Sequence, residues 1–148
     1  MSMFSSFNIN ASGMTSQRYR MDVISENVAN AKTTRTEDGT PYRRKAVAFA
    51  AKGEQANFSR VFGDISKSYS GQGVRVDSVF EDTETPMNQV YDPSHPDADE
   101  NGYVTYPNVN IVTEMTNLID ASRAYEANAT AFSASKSMAL QGLELSQQ

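Results

Sequence analysis

Apolar residues recur at steps of three and four near both ends of this 148-residue chain. Such spacing is typical of helices that bury one stripe of side chains against a partner helix. The N-terminal stripe, which Arg18 interrupts, comprises Phe4, Phe7, Ala11, Met14, Met21, Ile24, Val28 and Ala31. The C-terminal stripe comprises Ile111, Met115, Leu118, Ser122, Tyr125, Ala129, Phe132, Lys136, Ala139 and Leu143. The sequence therefore predicts two long helices that lie together.

Both stripes are only weakly apolar. Many of their positions and neighbours are Ala, Ser or Asn, so each helix alone should be marginally stable in water. Two interpretations follow from the pattern. The helices either form the core of a bundle, or they stay loose in the monomer and become ordered on assembly.

The middle of the chain predicts strands and turns. Asp38-Gly39 marks a turn, and a strand follows from Tyr42 to about Phe49. Residues 74–80 alternate apolar and polar side chains, which predicts a half-buried strand with Arg75 and Asp77 facing outward.

A final short strand is predicted at residues 103–106, after an acidic loop at 81–101. Either Asn108 or Asn110 is expected to cap the C-terminal helix. Residues 50–72 receive no assignment, because their pattern suits a short helix and a strand equally.

The fold class predicted from these elements is α+β. Long N- and C-terminal helices pair as a coiled coil, and a small β-rich domain lies between them. The predicted boundaries are an N-terminal coiled-coil helix at 1–34, a β-rich middle domain with its acidic loop at 35–107, and a C-terminal coiled-coil helix at 108–148.

Composition narrows the functional classes. The net charge is −5, which argues against a nucleic-acid binder, and the absence of Cys excludes disulfides and thiol catalysis. No apolar run approaches the ~20 residues that a membrane span needs, so direct membrane insertion is not expected. The first residues do not show a basic start followed by an apolar stretch, so a cleaved secretory signal is not visible either.

Charge is divided between two regions of the chain. Residues 1–60 hold nine Lys or Arg against five acids, whereas residues 76–122 hold ten acids and neither Lys nor Arg. Complementary regions of this kind can dock one subunit on the next. The candidate docking residues are Arg43, Arg44, Lys45, Asp97 and Asp99. The alternatives are two solvated faces and, for the basic cluster, a strand edge guarded by charge.

Catalytic and metal sites find little support in the sequence. His95 is the single histidine, and a hydrolase that uses it with Asp97 is the enzymatic alternative. Residues 97–102 begin like a calcium loop, but Asn108 stands at the twelfth position, where a Glu is needed, so a tight turn explains them better. We predict no catalytic residue, no metal site and no cofactor.

A motif in the N-terminal helix identifies a family. Residues 20–30 read Arg-Met-Asp-Val-Ile-Ser-Glu-Asn-Val-Ala-Asn, and Thr33-Thr34-Arg35-Thr36 follow. This sequence resembles the N-terminal signature of the bacterial flagellar axial proteins. The residues that carry the signature here are Asn27, Ala29, Asn30 and Thr33.

Four later segments also resemble this family, and they are most similar to its proximal rod members. They are residues 41–45, 73–76, 91–99 and 102–128. Many axial proteins continue the signature with Asn-Thr-Pro-Gly-Tyr, whereas Ala-Lys-Thr-Thr-Arg stands at 31–35 here. This departure fits the proximal rod better than the hook or the distal rod.

The resemblance implies a structural subunit of the hollow rod that transmits torque across the periplasm and bounds an export channel. Its implied partners are other rod proteins, further copies of itself, a membrane-ring adaptor at the rod base, and the flagellar type III export apparatus. Export would then need no cleaved signal peptide. A stand-alone helical adaptor or scaffold protein is the alternative.

Overall fold

The computed structural model describes residues 3–52 and 73–145, and these residues form two long helices and two small antiparallel sheets. The elements in chain order are α1 (Met3–Ala29), β1 (Lys45–Ala51), β2 (Val74–Glu81), β3 (Asn88–Tyr91), β4 (Tyr103–Tyr106) and α2 (Ile111–Leu145). The predicted α+β class is confirmed. Of the segment left unassigned, residues 53–72 lie outside the described residues.

The two helices pack against each other in opposite directions. The Phe7 ring meets the Phe132 ring edge-on with 5.1 Å between centroids, whereas Asn27 near the end of α1 bonds Glu114 near the start of α2. Successive contacts therefore run up one helix and down the other. The predicted pairing of the two ends is confirmed. Because α2 has 35 residues and α1 has 27, the last turns of α2 extend past the first turn of α1.

Gly13 lets the helices approach closely near the middle of the pair. A Cβ atom built at this position would lie 2.6 Å from Asn128 Oδ1 and 2.9 Å from Asn128 Cγ, so any side chain must displace the amide. The amide in turn donates to the Ala124 carbonyl at 2.7 Å. A glycine inside a helix normally costs about 1 kcal/mol relative to alanine. Its presence here indicates that close packing outweighs this cost.

Gly13 yields a prediction about helix separation. We expect Gly13→Leu to lower the free energy of unfolding by about 2–3 kcal/mol, the scale of an overpacked interface. Gly13→Ala should stay within about 1 kcal/mol of the parent, since Asn128 can turn away and the helix gains propensity. Urea unfolding of the purified variants measures both. A Gly13→Leu protein as stable as the parent would contradict the close approach.

The start of α2 is fixed by Asn110. Its Oδ1 accepts the N–H groups of Val112 and Thr113 at 3.0 and 3.2 Å, which satisfies two of the donors left open in the first turn. Of the two predicted caps, Asn110 is therefore the correct one. Asn108 is buried and binds the middle domain instead.

β1 and β2 form the larger sheet. Lys45 pairs with Glu81 at one end and Ala51 with Val74 at the other, and the register shifts between Ala48 and Phe49. Arg75 and Asp77 are exposed, as predicted. Beyond the shift the alternation is lost, and Val79 and Phe80 are both exposed.

β3 and β4 form a second sheet, and β3 lies in the segment predicted to be a loop. Asn88 pairs with Tyr106 and Tyr91 with Tyr103. All four β3 residues are exposed, so no buried face marks this strand in the sequence. The loop prediction was wrong for these four residues, and β4 matches its predicted bounds.

Candidate assembly site

A buried polar junction joins α1, β1 and α2, with Asn27 at its centre. The Asn27 side chain has no exposed surface. Its Nδ2 donates to the Lys45 carbonyl at 2.8 Å and to Glu114 Oε2 at 3.0 Å. Its Oδ1 accepts the Lys45 N–H and the Tyr42 hydroxyl, both at 2.9 Å. All four hydrogen-bonding positions of the amide are thus used, and they tie three separate parts of the chain together.

Glu114 is the buried charge of this junction, with 1 % of its surface exposed. Arg44 Nε donates to Glu114 Oε1 at 2.8 Å, and Arg44 Nη1 lies 3.9 Å from Asp82 Oδ2. Asn27 satisfies the second oxygen of Glu114. A buried carboxylate is tolerated only when it is paired and hydrogen-bonded in this way. Glu114 therefore couples α2 to the segment that enters β1.

Tyr42 and Lys45 complete the junction on the side of β1. Burial raises the pKa of the Tyr42 hydroxyl far above 10, and the carboxylates of Glu26, Glu81 and Glu114 raise it further. The hydroxyl therefore stays protonated and keeps donating to Asn27. Lys45 Nζ pairs with Glu26 Oε1 at 2.6 Å, and this ion pair is partly exposed.

Asn108 holds the other side of the middle domain to the start of α2. Its Oδ1 accepts the Arg44 N–H at 2.9 Å, and its Nδ2 donates to the carbonyls of Asp82 and Thr85 at 2.9 and 3.2 Å. Asp82 itself closes a turn by accepting the N–H groups of Glu84 and Thr85. The turn after β2 is thereby tied both to α2 and to Arg44.

The lowered pKa of Asp82 leads us to expect that the free energy of unfolding depends on pH. Its pKa lies below 3.8 because the Thr85 N–H, the Thr85 hydroxyl, the Glu84 N–H and Arg44 stabilise the carboxylate. The folded state therefore holds this proton less tightly than the unfolded state. The stability so gained is present above the unfolded pKa and is lost as pH falls through the folded pKa. We expect Asp82→Asn to lose less stability than the parent between pH 5 and pH 3.

Urea unfolding at the two pH values measures this difference. Glu84→Gln is the matched control, since it neutralises an exposed carboxylate in the same turn. An Asp82→Asn protein with the same loss of stability on acidification as the parent would contradict the role of the Asp82 carboxylate.

The structure places the predicted stripes as follows. In α1, Ile24 is buried, and the half-buried residues of the stripe are Phe7, Ala11, Met14, Met21 and Val28. The Phe4 side chain lies outside the part of the chain that the structure describes. In α2, Leu118, Tyr125, Ala129 and Phe132 are half-buried. Met115 and Leu143, however, are 55 % and 60 % exposed.

The seam inside the chain therefore differs from the predicted stripe at both ends of α2. At the first turn Glu114, rather than Met115, turns toward α1, because Arg44 and Asn27 satisfy its charge. The last turns of α2, which carry Leu143, extend past the first turn of α1. The role of these residues between subunits stays a prediction.

The signature residues fall at the end of α1. Asn27 is the centre of the junction, whereas Asn30 Nδ2 donates to the Glu26 carbonyl at 3.0 Å and Asn30 Oδ1 accepts the Thr33 hydroxyl at 3.1 Å. Ala29 is exposed. Three of the four signature residues thus shape the exit from α1 and its junction with β1.

The candidate docking residues are largely engaged within their own chain. Arg44 and Lys45 form the ion pairs given above, and Arg43 Nη1 reaches the Asp82 carbonyl at 3.5 Å. Asp97 accepts the Thr34 hydroxyl at 2.8 Å and lies 3.9 Å from Arg35. Asp99 Oδ1 accepts the N–H groups of Asn101 and Tyr103. Their part in contacts between subunits stays a prediction.

The His95 loop is a structured turn. His95 Nδ1 accepts the Asp97 N–H at 3.1 Å, and its ring lies edge-on to Tyr106. Asp92 accepts the Ser94 hydroxyl and N–H, which lower the pKa of its carboxyl group. Within the described ranges no group of three or more His, Asp or Glu is placed to hold a metal ion. Neither described helix is long and apolar enough to cross a membrane.

Sequence reasoning missed Glu114, Asn108 and Tyr42 as members of the junction. Glu114 looks in the sequence like an acid that favours the first turn of a helix, which is ordinarily exposed. The hint in the sequence is its position two helical turns before Ala121, which places Glu114 on the same helix face as that buried residue. Asn108 and Tyr42 give no sequence signal for their partners, which are remote in the chain.

Comparisons with known proteins place this arrangement in a class. The family model for flagella basal body rod protein matches residues 7–35, and the model for the C-terminal part of flagellar basal body rod FlgEFG protein matches residues 100–145. The first covers α1 from residue 7 to its end, and the second contains β4 and α2. The two matches therefore cover the helix pair that the junction joins.

Full-length relatives give the particular family. The flagellar basal-body rod protein FlgC of Borreliella burgdorferi is 49 % identical and covers 93 % of each chain. FlgC of Bacillus subtilis is 44 % identical over 98 % of this chain and 99 % of its own length. FlgC of Salmonella typhimurium is 39 % identical over 99 % of this chain and 100 % of its own length. This chain belongs to the FlgC family of flagellar basal-body rod proteins.

Proposed function

We propose that this chain is a structural subunit of the flagellar basal-body rod, in its proximal part, and that it assembles with other rod proteins and with copies of itself. The paired helices form the inner layer of the rod around the export channel, and the β-rich domain lies outside them. The chain acts mechanically, by passing torque from one subunit to the next, and carries no active site.

The observation that supports this function is the buried junction. Asn27 and Glu114 fix the middle domain to both helices through hydrogen bonds and an ion pair that are buried or partly buried. A load on the helix pair is therefore transferred to the middle domain without a flexible linker between Ala29 and Lys45, where Asn30, Thr33 and Tyr42 are all hydrogen-bonded. Such stiffness suits a rotating shaft.

Two further parts of the proposal concern location and partners. The chain reaches the periplasmic rod through the flagellar type III export apparatus, without a cleaved signal peptide, and meets a membrane-ring adaptor at the rod base. The resemblance of residues 20–36 and 102–128 to the axial proteins supports both. Met115, Ile119 and Leu143 on α2 are exposed apolar residues. They support contacts with further subunits, because a neighbouring subunit would bury them.

These exposed seam residues provide the test. We expect Met115→Asp and Leu143→Asp to leave the purified monomer folded, because both side chains are already in water. In a strain that lacks the chromosomal gene, however, both variants should fail to restore swimming and should be absent from isolated basal bodies. Swimming in soft agar and immunoblots of isolated basal bodies measure the two outcomes.

Thr130→Asp is the matched control, since Thr130 is exposed on α2 and lies outside the predicted seam. It should assemble and swim. Parent protein that is absent from isolated basal bodies would overturn the proposed function. Parent protein that is present, together with normal assembly of both seam variants, would overturn only the role of the seam.

A further inference from the structure

A cleft opens beside the polar junction, where α1, β1 and α2 meet. Its volume is about 240 Å³, and its walls include Arg20, Val23 and Ile24 of α1, Phe49 of β1 and Asn117 of α2. Pockets for small molecules usually measure ~300–1,000 Å³. A cleft of this size suits a few side chains of another protein.

Arg20 is the basic residue of this cleft that has no ion-pair partner among the described residues. Arg44 and Lys45 also line it, but they are paired with Glu114 and with Glu26. With respect to residues 3–52 and 73–145, Arg20 forms neither an ion pair nor a hydrogen bond. A guanidinium beside apolar walls favours a carboxylate that is carried next to aromatic or aliphatic side chains.

The end of the β3–β4 sheet presents such a group. Tyr91 and Tyr103 are 64 % and 45 % exposed, and their rings meet edge-on at 5.3 Å. Glu100 lies in the turn next to them and is exposed, and it has no ion pair with any other described residue. We call the segment from Tyr91 to Tyr103 the acidic tip.

The acidic tip is rigid near Glu100. Asp99 Oδ1 accepts the Tyr103 N–H at 2.7 Å, and the Asp99 N–H donates to the Tyr103 carbonyl at 2.8 Å. Gly102 has a φ of +80°, and a Cβ there would lie 2.9 Å from the Tyr91 ring, so the turn packs closely on the aromatic pair. A preformed tip loses little conformational entropy when it binds.

We infer that the acidic tip of one copy docks in the cleft of a second copy, so that Glu100 pairs with Arg20 and the two tyrosines cover the apolar walls. The inference rests on the proposed function, because it supplies one contact between rod subunits. Charge complementarity within the sequence supports a second copy as the partner, since residues 76–122 carry ten acids without a Lys or Arg. Cleft and tip are different surfaces, so each copy that docks by its tip still offers its own cleft to a further copy, which is the kind of contact from which a helical rod is built.

Charge reversal tests the pairing in cells that lack the chromosomal gene. Arg20→Glu and Glu100→Arg are each expected to abolish swimming and to reduce the protein in isolated basal bodies about tenfold, the scale of a lost contact between close interfacial charges. The double variant Arg20→Glu with Glu100→Arg should restore both, because every copy then carries the reversed pair. Lys32→Glu and Glu84→Arg are the controls, since both residues are exposed and lie outside the cleft and the tip.

Each outcome decides the question. Recovery in the double variant supports docking, whereas single variants that swim normally, or a double variant that stays defective while its purified monomer melts like the parent, overturn it. If the parent gene itself fails to restore swimming, the proposed function falls first. If the parent restores swimming and the pair shows no coupling, only the docking inference falls.

Cross-linking gives a second readout that does not depend on charge. The chain has no Cys, so Asn117→Cys and Asn101→Cys place single thiols in the cleft wall and in the tip. In isolated basal bodies a short bis-maleimide should link copies that carry both changes into dimers and larger species. Asn117→Cys with Thr130→Cys is the matched control. Equal cross-linking in the control, or links only to other basal-body proteins, would refute a contact between copies.

Discussion

Replacing Asn27 with alanine is expected to lower the free energy of unfolding by about 3–5 kcal/mol. The change leaves the N–H and carbonyl of Lys45, the Tyr42 hydroxyl and one Glu114 oxygen without their partner. Each buried polar group left unsatisfied costs about 1–3 kcal/mol, and local rearrangement recovers part of the sum. The expected loss is a large fraction of the 5–15 kcal/mol that stabilises a typical domain.

Urea unfolding followed by circular dichroism measures the Asn27→Ala effect. Asn8→Ala is the control, since Asn8 lies exposed on the same helix and its replacement should be neutral or slightly stabilising. A loss below about 1 kcal/mol for Asn27→Ala would mean that the buried junction does not hold the fold together.

Replacing Glu114 with leucine is expected to cost a similar 3–5 kcal/mol, because Arg44 is left partly buried without its main partner. Glu114→Gln should cost less, since the amide oxygen still accepts from Arg44. The double variant Glu114→Leu with Arg44→Met should regain part of the loss, because apolar side chains of similar volume replace buried ion pairs at little net cost, whereas one N–H of the buried Asn27 amide stays without its partner. A double-mutant cycle by urea unfolding measures the coupling between the two residues.

The cycle also separates stability from function. If the double variant is as stable as the parent yet fails to assemble, the ion pair is needed for the correct geometry of the junction and not for the stability of the fold. A coupling energy near zero between Arg44 and Glu114 would contradict the buried pair, since the 2.8 Å contact would then contribute nothing. Arg75 and Asp77 form an exposed pair at 3.4 Å and provide a reference in which little coupling is expected.

Elements with a strong local pattern were well predicted from the sequence. The N-terminal apolar stripe runs from Phe4 to Ala31, and α1 spans Met3–Ala29. The second strand was expected at 74–80 and ends at Glu81. These segments carry apolar residues at helical spacing or in strict alternation, and such patterns among neighbouring residues are enough to predict a helix or a strand. The strand predicted from Tyr42 instead begins at Lys45, because Tyr42 turns inward to bond Asn27.

The junction could not be predicted, because its geometry depends on pairs that are remote in sequence. Asn27 was singled out only as a signature residue, and the reason for its burial lies 87 residues away at Glu114. A hydrophobic pattern favours Met115 over Glu114 as the buried residue, and it is wrong within this chain because Arg44 and Asn27 compensate the charge. β3 was missed for the related reason that only its pairing with β4 defines it.

The β1–β2 sheet is fastened to α1 at two separate points. At one end Asn27 holds Lys45, and at the other the Ser12 hydroxyl accepts the Val74 N–H at 3.0 Å. Fifteen residues of helix separate these points, which is about 22 Å, and the seven residues of β1 span nearly the same length. One fastening would leave a hinge. With two attachment points at this separation, a torque on the helix produces opposite forces at the two ends of the sheet. These two forces resist rotation of the sheet relative to the helix, which a single hydrogen-bonded contact could not do.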